Sequence, residues 1–181
     1  QKLALELYTG DNLILVWVVI EEVLKYIAAL LVILWHKSVD EPIDLIIYMI
    51  VIALGFSALE NALFVFNPLM AGEMQEMLLT SKFRFVGATL LHVLASASIG
   101  VCLALTFYRS MAVKLLAGTI GTIIAVVLHV LFNLFVMDAN GQSILAVFLF
   151  VWFGIIVLFL LFERVKVLEA KHITLSARRD G

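Results

Sequence analysis

The stretch VVIEEVLKYIAAL, residues 18–30, places two glutamates and a lysine inside an apolar run. Charged side chains at bilayer depth are expensive, and they occur where they pair, face a wet cavity or take part in chemistry. Three further apolar stretches also carry polar residues: Glu60 and Asn61 in GFSALENALF, His92 in ATLLHVLAS, and His129 and Asn133 in VLHVLFNLF. This recurrence predicts a polar site built inside a membrane bundle.

The composition indicates an integral membrane protein. Hydrophobic residues make up 64% of the 181 residues, the charged fraction is 14%, and the mean hydropathy is +1.14. Soluble domains of this size carry about 25% charged residues. The net charge is -2 and the chain has no basic block, so we expect the lipid bilayer as surroundings and no nucleic-acid partner.

The apolar runs predict an all-α, polytopic membrane helix bundle with about five transmembrane helices, in a single domain over residues 1–181. The predicted helices cover about residues 12–35, 43–66, 84–108, 112–137 and 143–162. We expect the second helix to stop at Asn67-Pro68, and the segment GEMQEMLLTSKF, residues 72–83, to form a short interfacial helix.

Basic residues predict the orientation, because they are enriched in cytoplasmic segments. If the tail, residues 163–181, lies in the cytoplasm, that side holds eight lysines and arginines and the other side three, with Lys25 inside a span. The N-terminus is then outside, and no signal sequence precedes it. We therefore expect one or more upstream helices to be missing from this chain.

The polar residues of different helices are expected at one depth. A rise of 1.5 Å per residue puts Glu21, Glu22, Glu60, His92 and His129 about 9 to 15 Å below the outer ends of their predicted helices. Unrelated polar residues on helices of alternating direction would be scattered across the bilayer. The shared level predicts one site, in the extracytoplasmic leaflet of the cell membrane.

The motif EEVLK, residues 21–25, contains a candidate general base. Two adjacent carboxylates cannot both ionise cheaply in a low dielectric unless a cation neutralises one of them. Lys25 lies four residues after Glu21 and three after Glu22, so helical spacing allows it to meet either. One glutamate would then activate water while Lys25 holds the other. The alternative is a purely structural ion pair.

Glu60, His92 and His129 form a candidate metal-ligand set. Two imidazoles and a carboxylate suit zinc or another divalent metal, with a fourth position open for water. Asn133 lies one turn after His129, which suits a donor to an oxyanion. For both histidines and for Asn133, an interhelical hydrogen bond is the alternative. The chain has no HExxH motif, so a conventional zincin is excluded.

The ordered set EExxK, GFxxxEN, an intramembrane histidine and HxxxN resembles the PrsW family of intramembrane proteases. That family is similar in turn to the CAAX prenyl protease and bacteriocin-processing group. The resemblance covers roughly residues 21–133, and it implies a peptidase that cleaves membrane-anchored proteins. The prototype of the family cuts an anti-sigma factor on its extracytoplasmic side.

The resemblance also implies roles for single residues. Glu21 and Glu22 match the paired glutamates, and Lys25 matches the cation of that motif. His92 matches an additional PrsW histidine, and Glu60 stands where the related group carries a histidine. The HxxxN pair, His129 and Asn133, is suggested in the related group to stabilise the oxyanion.

We therefore expect metal-assisted peptide hydrolysis, in which Glu21 or Glu22 activates water and Asn133 stabilises the oxyanion. Two other functions are compatible with buried polar residues. A non-catalytic scaffold of the same superfamily would use them to hold partners. A proton or ion transporter would use them as a relay, although a relay strings its groups across the bilayer and does not collect them at one level.

Overall fold

The computed structural model describes residues 11–35, 39–71, 74–137 and 144–178, and within these ranges every regular element is an α-helix. The five helices are α1 (Asp11–Trp35), α2 (Pro42–Ala71), α3 (Met74–Leu105), α4 (Met111–Met137) and α5 (Ile144–Ala177). The predicted all-α polytopic helix bundle is confirmed.

Four of the helices contain segments that are long and apolar enough to cross a membrane. These segments are Pro42–Phe66, Phe85–Leu105, Met111–Leu134 and Leu145–Leu175. The first helix, α1, is outside this group because Glu21, Glu22 and Lys25 lie within five positions of one another. The chain is an integral membrane protein, and a fifth crossing by α1 stays a prediction.

Two helix boundaries between α2 and α3 differ from the prediction. α2 continues through Asn67-Pro68 to Ala71, and α3 already begins at Met74, so the expected interfacial segment is the first part of α3. Proline removes one backbone donor and strains the preceding turn, but it does not forbid a helix. Unpaired backbone groups are costly near lipid, which favours longer helices than the sequence predicts.

The last helix is also longer than predicted. α5 runs to Ala177, so most of the expected tail is helical. Val165 is fully buried and packs in a cluster with Ala104 and Val101 of α3, which anchors the extension to the bundle. An ion pair one turn apart, between Lys166 and Glu163, adds a small stabilisation at its surface.

The third helix, α3, lies at the centre of the bundle, packed extensively on α2 and α4 and also in contact with α1 and α5. Small residues allow this close packing. A Cβ on Gly100 would lie 2.7 Å from the Cα of Ile46 in α2, and a Cβ on Gly121 of α4 would lie 2.7 Å from the Cα of Ile99. Such close backbone approach is typical of helix pairs in membranes.

The bundle exposes apolar side chains on its outside, including Leu59, Phe153 and Phe159. An exposed apolar surface of this kind is expected where lipid replaces water as the solvent. The buried interior, in contrast, contains Glu22, Lys25 and both intramembrane histidines. The polar residues therefore face inward, as the membrane environment demands.

Candidate active site

Six ionisable side chains from four helices meet in one network inside the bundle. The contributors are Glu21, Glu22 and Lys25 from α1, Glu60 from α2, His92 from α3 and His129 from α4. All six were predicted from the sequence to lie at one site. Their meeting follows from the central position of α3, which brings the polar faces of its neighbours around His92.

Lys25 holds the buried half of this network together. Its Nζ donates to Glu22 Oε1 over 2.7 Å and to His92 Nδ1 over 2.8 Å. Nζ also lies 5.9 Å from the centre of the Phe56 ring, within range of a cation–π contact. Burying an unpaired ammonium group costs several kcal/mol, so these partners account for a lysine with no solvent access.

The contact with Lys25 determines which nitrogen of His92 carries the proton. An ammonium group only donates, so Nδ1 of His92 accepts and the proton of a neutral ring is on Nε2. Nε2 lies 2.7 Å from Glu60 Oε2, to which it donates. The Glu60 side chain is 41% exposed. The hydrogen bonds from Lys25 through His92 to Glu60 therefore connect the buried interior to the exposed side of α2.

Glu22 orients the second histidine. Its Oε1 lies 2.8 Å from His129 Nδ1, and because a carboxylate only accepts, Nδ1 carries the proton. The free Nε2 of His129 then lies 3.9 Å from Glu21 Oε2. A carboxylate on the far nitrogen of a histidine is typical of metal-ligating imidazoles, whose tautomer and direction it sets.

Glu21, His92 and His129 each offer one ligand atom, and these three atoms lie within 4.8 Å of one another. Two imidazoles and one carboxylate form the donor set of catalytic zinc sites with an open position. Glu22 Oε2 has no hydrogen-bond partner among the described residues, and such a buried acceptor needs a water or a cation. The residues present therefore fit a divalent metal.

The ligand group differs in one member from the set predicted from the sequence. Glu60 was expected beside His92 and His129, and the compact group contains Glu21 in that place. Glu60 is nevertheless adjacent, through its hydrogen bond to His92 Nε2. The carboxylates thus divide by position: Glu22 is fully buried, whereas Glu21 and Glu60 are partly open and face the histidines.

Asn133, the remaining predicted site residue, lies half-buried on α4 one turn after His129. Within the described part of the chain its side chain makes no hydrogen bond, so it borders the network without joining it. Its role as an oxyanion donor stays a prediction.

A second polar cluster beside the network was missed in part by the sequence reasoning. Ser57 Oγ and Thr89 Oγ1 lie 2.9 Å apart, and Asn61 Nδ2 donates to them over 3.2 and 3.3 Å. The sequence showed that Ser57 and Asn61 share a helix face but did not single out Thr89. The available signal was a repeated offset, since each hydroxyl lies three residues before a site residue, Glu60 or His92.

Comparison with known families agrees with this arrangement. The family described as PrsW family intramembrane metalloprotease matches residues 6–161, a range that includes all the predicted site residues. No curated protein and no solved structure matches the chain. Because the family match covers most of the sequence, and the matched residues include the buried glutamate–histidine network, the chain belongs to the PrsW family of intramembrane metalloproteases.

Proposed function

We propose that this protein hydrolyses a peptide bond in a membrane-anchored protein, using water activated within the glutamate–histidine network. One observation carries the proposal: Glu21, His92 and His129 offer three ligand atoms within 4.8 Å of one another inside an apolar bundle. Membership of a family of intramembrane metalloproteases supports the reaction class.

Glu21, His92 and His129 would hold the metal, zinc or another divalent ion. Glu22 keeps the proton of His129 on Nδ1, so Nε2 of that ring is free for a ligand, whereas Nε2 of His92 carries a proton and donates to Glu60. His92 would become a ligand through Nε2 when Lys25 gives a proton to Nδ1 and the Nε2 proton passes to Glu60, so that the ring stays neutral. A metal held there would supply a more nucleophilic water at neutral pH and would polarise the scissile carbonyl.

Glu60 is the general base in this proposal. It is the most exposed carboxylate of the network, with 41% of its side chain accessible. Its carboxylate takes a proton from the attacking water and passes it to the nitrogen of the leaving amine, so that the peptide bond is cleaved with one water consumed. Glu22, which is buried and bonded to both Lys25 and His129, positions the other groups.

Asn133 stabilises the oxyanion that forms when water adds to the carbonyl. Its position one helical turn after His129 supports this role. A preorganised donor of this kind acts on charge that develops only in the transition state, and removing one costs about 100- to 1,000-fold in rate.

A membrane-anchored substrate fits the surroundings of the site. An open apolar groove of about 470 Å³ borders Asn61 and is lined by residues such as Ala62 and Phe66 of α2. The groove is adjacent in sequence to Glu60, so an apolar segment of the substrate lying in it would pass the open side of the network. We place this site toward the extracytoplasmic leaflet and the end of α5 in the cytoplasm, following the bias of basic residues.

The test is cleavage of single-pass membrane proteins, tagged at both ends, by the purified protein in detergent and in liposomes. We expect two fragments with the wild-type protein and none with His129→Ala, and loss of cleavage after treatment with a chelator and recovery on addition of zinc. Undiminished cleavage by Glu21→Gln, Glu60→Gln and His129→Ala alike rejects the proposal. Stable co-purification with a partner protein and no turnover would favour a scaffold.

A further inference from the structure

We infer that Asn61, Ser57 and Thr89 form a polar clamp that positions the carboxylate of Glu60 on His92. This inference rests on the proposed role of Glu60 and deepens it. The clamp joins α2 to α3 through the Ser57–Thr89 contact of 2.9 Å and the Asn61–Thr89 contact of 3.3 Å. Ser57 is only 2% exposed, so these polar groups are sheltered at the interface.

The clamp lies at the same level as the Glu60–His92 contact. The two helices run in opposite directions, since Gly100 approaches Leu45 and Ile46 while Thr89 meets Ser57. Side chains on a helix lean toward its N-terminus. In an antiparallel pair, Glu60 therefore leans back toward Ser57 and His92 leans back toward Thr89. Each of these two side chains extends over one helical turn, so Glu60 and His92 meet beside the clamp.

This pair of helices needs a polar contact to keep its register. The faces around the clamp are mostly apolar, and lipid chains are as apolar as those side chains, so hydrophobic burial favours no particular alignment. A slide of one residue moves a helix by about 1.5 Å, which would break a 2.7 Å contact such as that of Glu60 with His92. Two directional hydrogen bonds, Ser57–Thr89 and Asn61–Thr89, cross between the helices and resist this slide.

The clamp should act on Glu60 without acting on metal binding. The compact ligand group comes from α1, α3 and α4, whereas Glu60 is the member of the network that belongs to α2. Loosening α2 therefore removes the base from His92 and leaves Glu21, His92 and His129 in place. A general loss of folding would instead disturb all of these helices.

The first measurement is direct and does not depend on turnover. The chain has four histidines, so ¹⁵N-histidine labelling of the metal-free protein and an assignment by His92→Ala give the His92 Nε2 signal in detergent. We expect the signal to shift in Thr89→Val and Asn61→Leu because the hydrogen bond to Glu60 is lost. It should stay in Thr89→Ser, which keeps the hydroxyl, and in Thr119→Val, whose hydroxyl bonds to Leu115 O of its own helix.

The second measurement is kinetic. Misplacement of a reacting group by about 1 Å costs on the order of 100-fold, so we expect Thr89→Val to lower kcat about 10- to 100-fold while KM and bound metal stay unchanged. Combining Thr89→Val with Glu60→Gln should add no further loss, because the clamp acts through Glu60.

Three results would overturn the clamp. The first is an unchanged Nε2 signal in Thr89→Val, and the second is full activity of that variant. The third is that Thr89→Val lowers kcat by the same factor whether residue 60 is Glu or Gln. If the wild-type protein shows no cleavage, the NMR result alone decides on the clamp, and only the proposed protease function fails.

Discussion

Lys25 Nζ lies 2.8 Å from His92 Nδ1 and joins the first helix to the central one across 67 positions of sequence. The same ammonium group lies 2.7 Å from Glu22 Oε1, which in turn accepts a hydrogen bond from His129. A single lysine therefore sets the tautomer of one histidine directly and supports the carboxylate that sets the tautomer of the other. This makes Lys25 a positioning residue shared by both imidazoles.

Replacing Lys25 by methionine should destabilise the protein strongly. Methionine has approximately the volume of lysine. The fully buried Glu22, however, loses its cation, and His92 Nδ1 loses its hydrogen-bond donor. Breaking a buried ion pair by removing one partner costs about 3–5 kcal/mol. Denaturant unfolding in detergent measures the change.

The control for this substitution is Lys166→Met, since Lys166 pairs with Glu163 at the surface over 3.0 Å. Exposed ion pairs contribute at most about 1 kcal/mol. Equal unfolding free energies for Lys25→Met and Lys166→Met would contradict the role given to Lys25.

Substitutions of the two partly exposed carboxylates, Glu21 and Glu60, should differ in the amount of metal that the protein retains. We expect Glu60→Gln to keep bound metal and to lose about 100- to 10,000-fold in turnover, as for removal of a general base. Glu21→Gln should lose metal, because Glu21 belongs to the compact ligand group. Elemental analysis after dialysis distinguishes them. The opposite outcome would restore the ligand set Glu60, His92 and His129 predicted from the sequence.

Glu22→Gln should weaken metal binding without removing a ligand. The amide oxygen can still accept from Lys25 and His129, but it carries no charge, so both hydrogen bonds weaken and His129 is held less firmly. Substitution of such a supporting carboxylate typically costs about 10- to 100-fold in metal affinity. Competition with a chromophoric chelator measures this, with Glu163→Gln at the surface as the control. Unchanged affinity would remove Glu22 from the support of the metal site.

The packing of α2 on α3 can be tested at two glycines. A Cβ on Gly100 would meet the backbone of Ile46 at 2.7 Å, so Gly100→Ala should push the helices apart and cost about 1–3 kcal/mol. A Cβ on Gly55 would meet no atom within 4 Å, so Gly55→Ala should stabilise α2 by about 0.5–1 kcal/mol. Thermal unfolding in detergent should show opposite signs, and equal shifts would refute the packing described for Gly100.

The orientation is tested with reporters fused after residue 181. If the C-terminus is cytoplasmic, a fusion to green fluorescent protein should be fluorescent and a fusion to alkaline phosphatase should be inactive. The reverse pattern would place the network toward the cytoplasmic leaflet, and it would leave the chemistry of the site unaffected.

The helices were predictable because a lipid bilayer restricts which backbone structures are stable. Long apolar runs have few stable alternatives to helices in a bilayer, so α2 to α5 could be recognised from composition and length. Their ends were less predictable. Whether a helix continues past Pro68, or beyond Phe162 into a charged segment, depends on packing such as that of Val165 against α3. No local pattern encodes that packing.

The sequence by itself determined which ionisable side chains form the buried network, because charged and imidazole groups are costly in lipid and so mark such a network wherever they recur. The tertiary structure decided how they are paired. Helical spacing allowed Lys25 to meet either glutamate, and it meets Glu22; Glu21 joins the two histidines, and Glu60 contacts His92. These pairings depend on the rotation and register of each helix against its neighbours. The periodicity of a single helix carries no information about either, because both arise only when the helices pack.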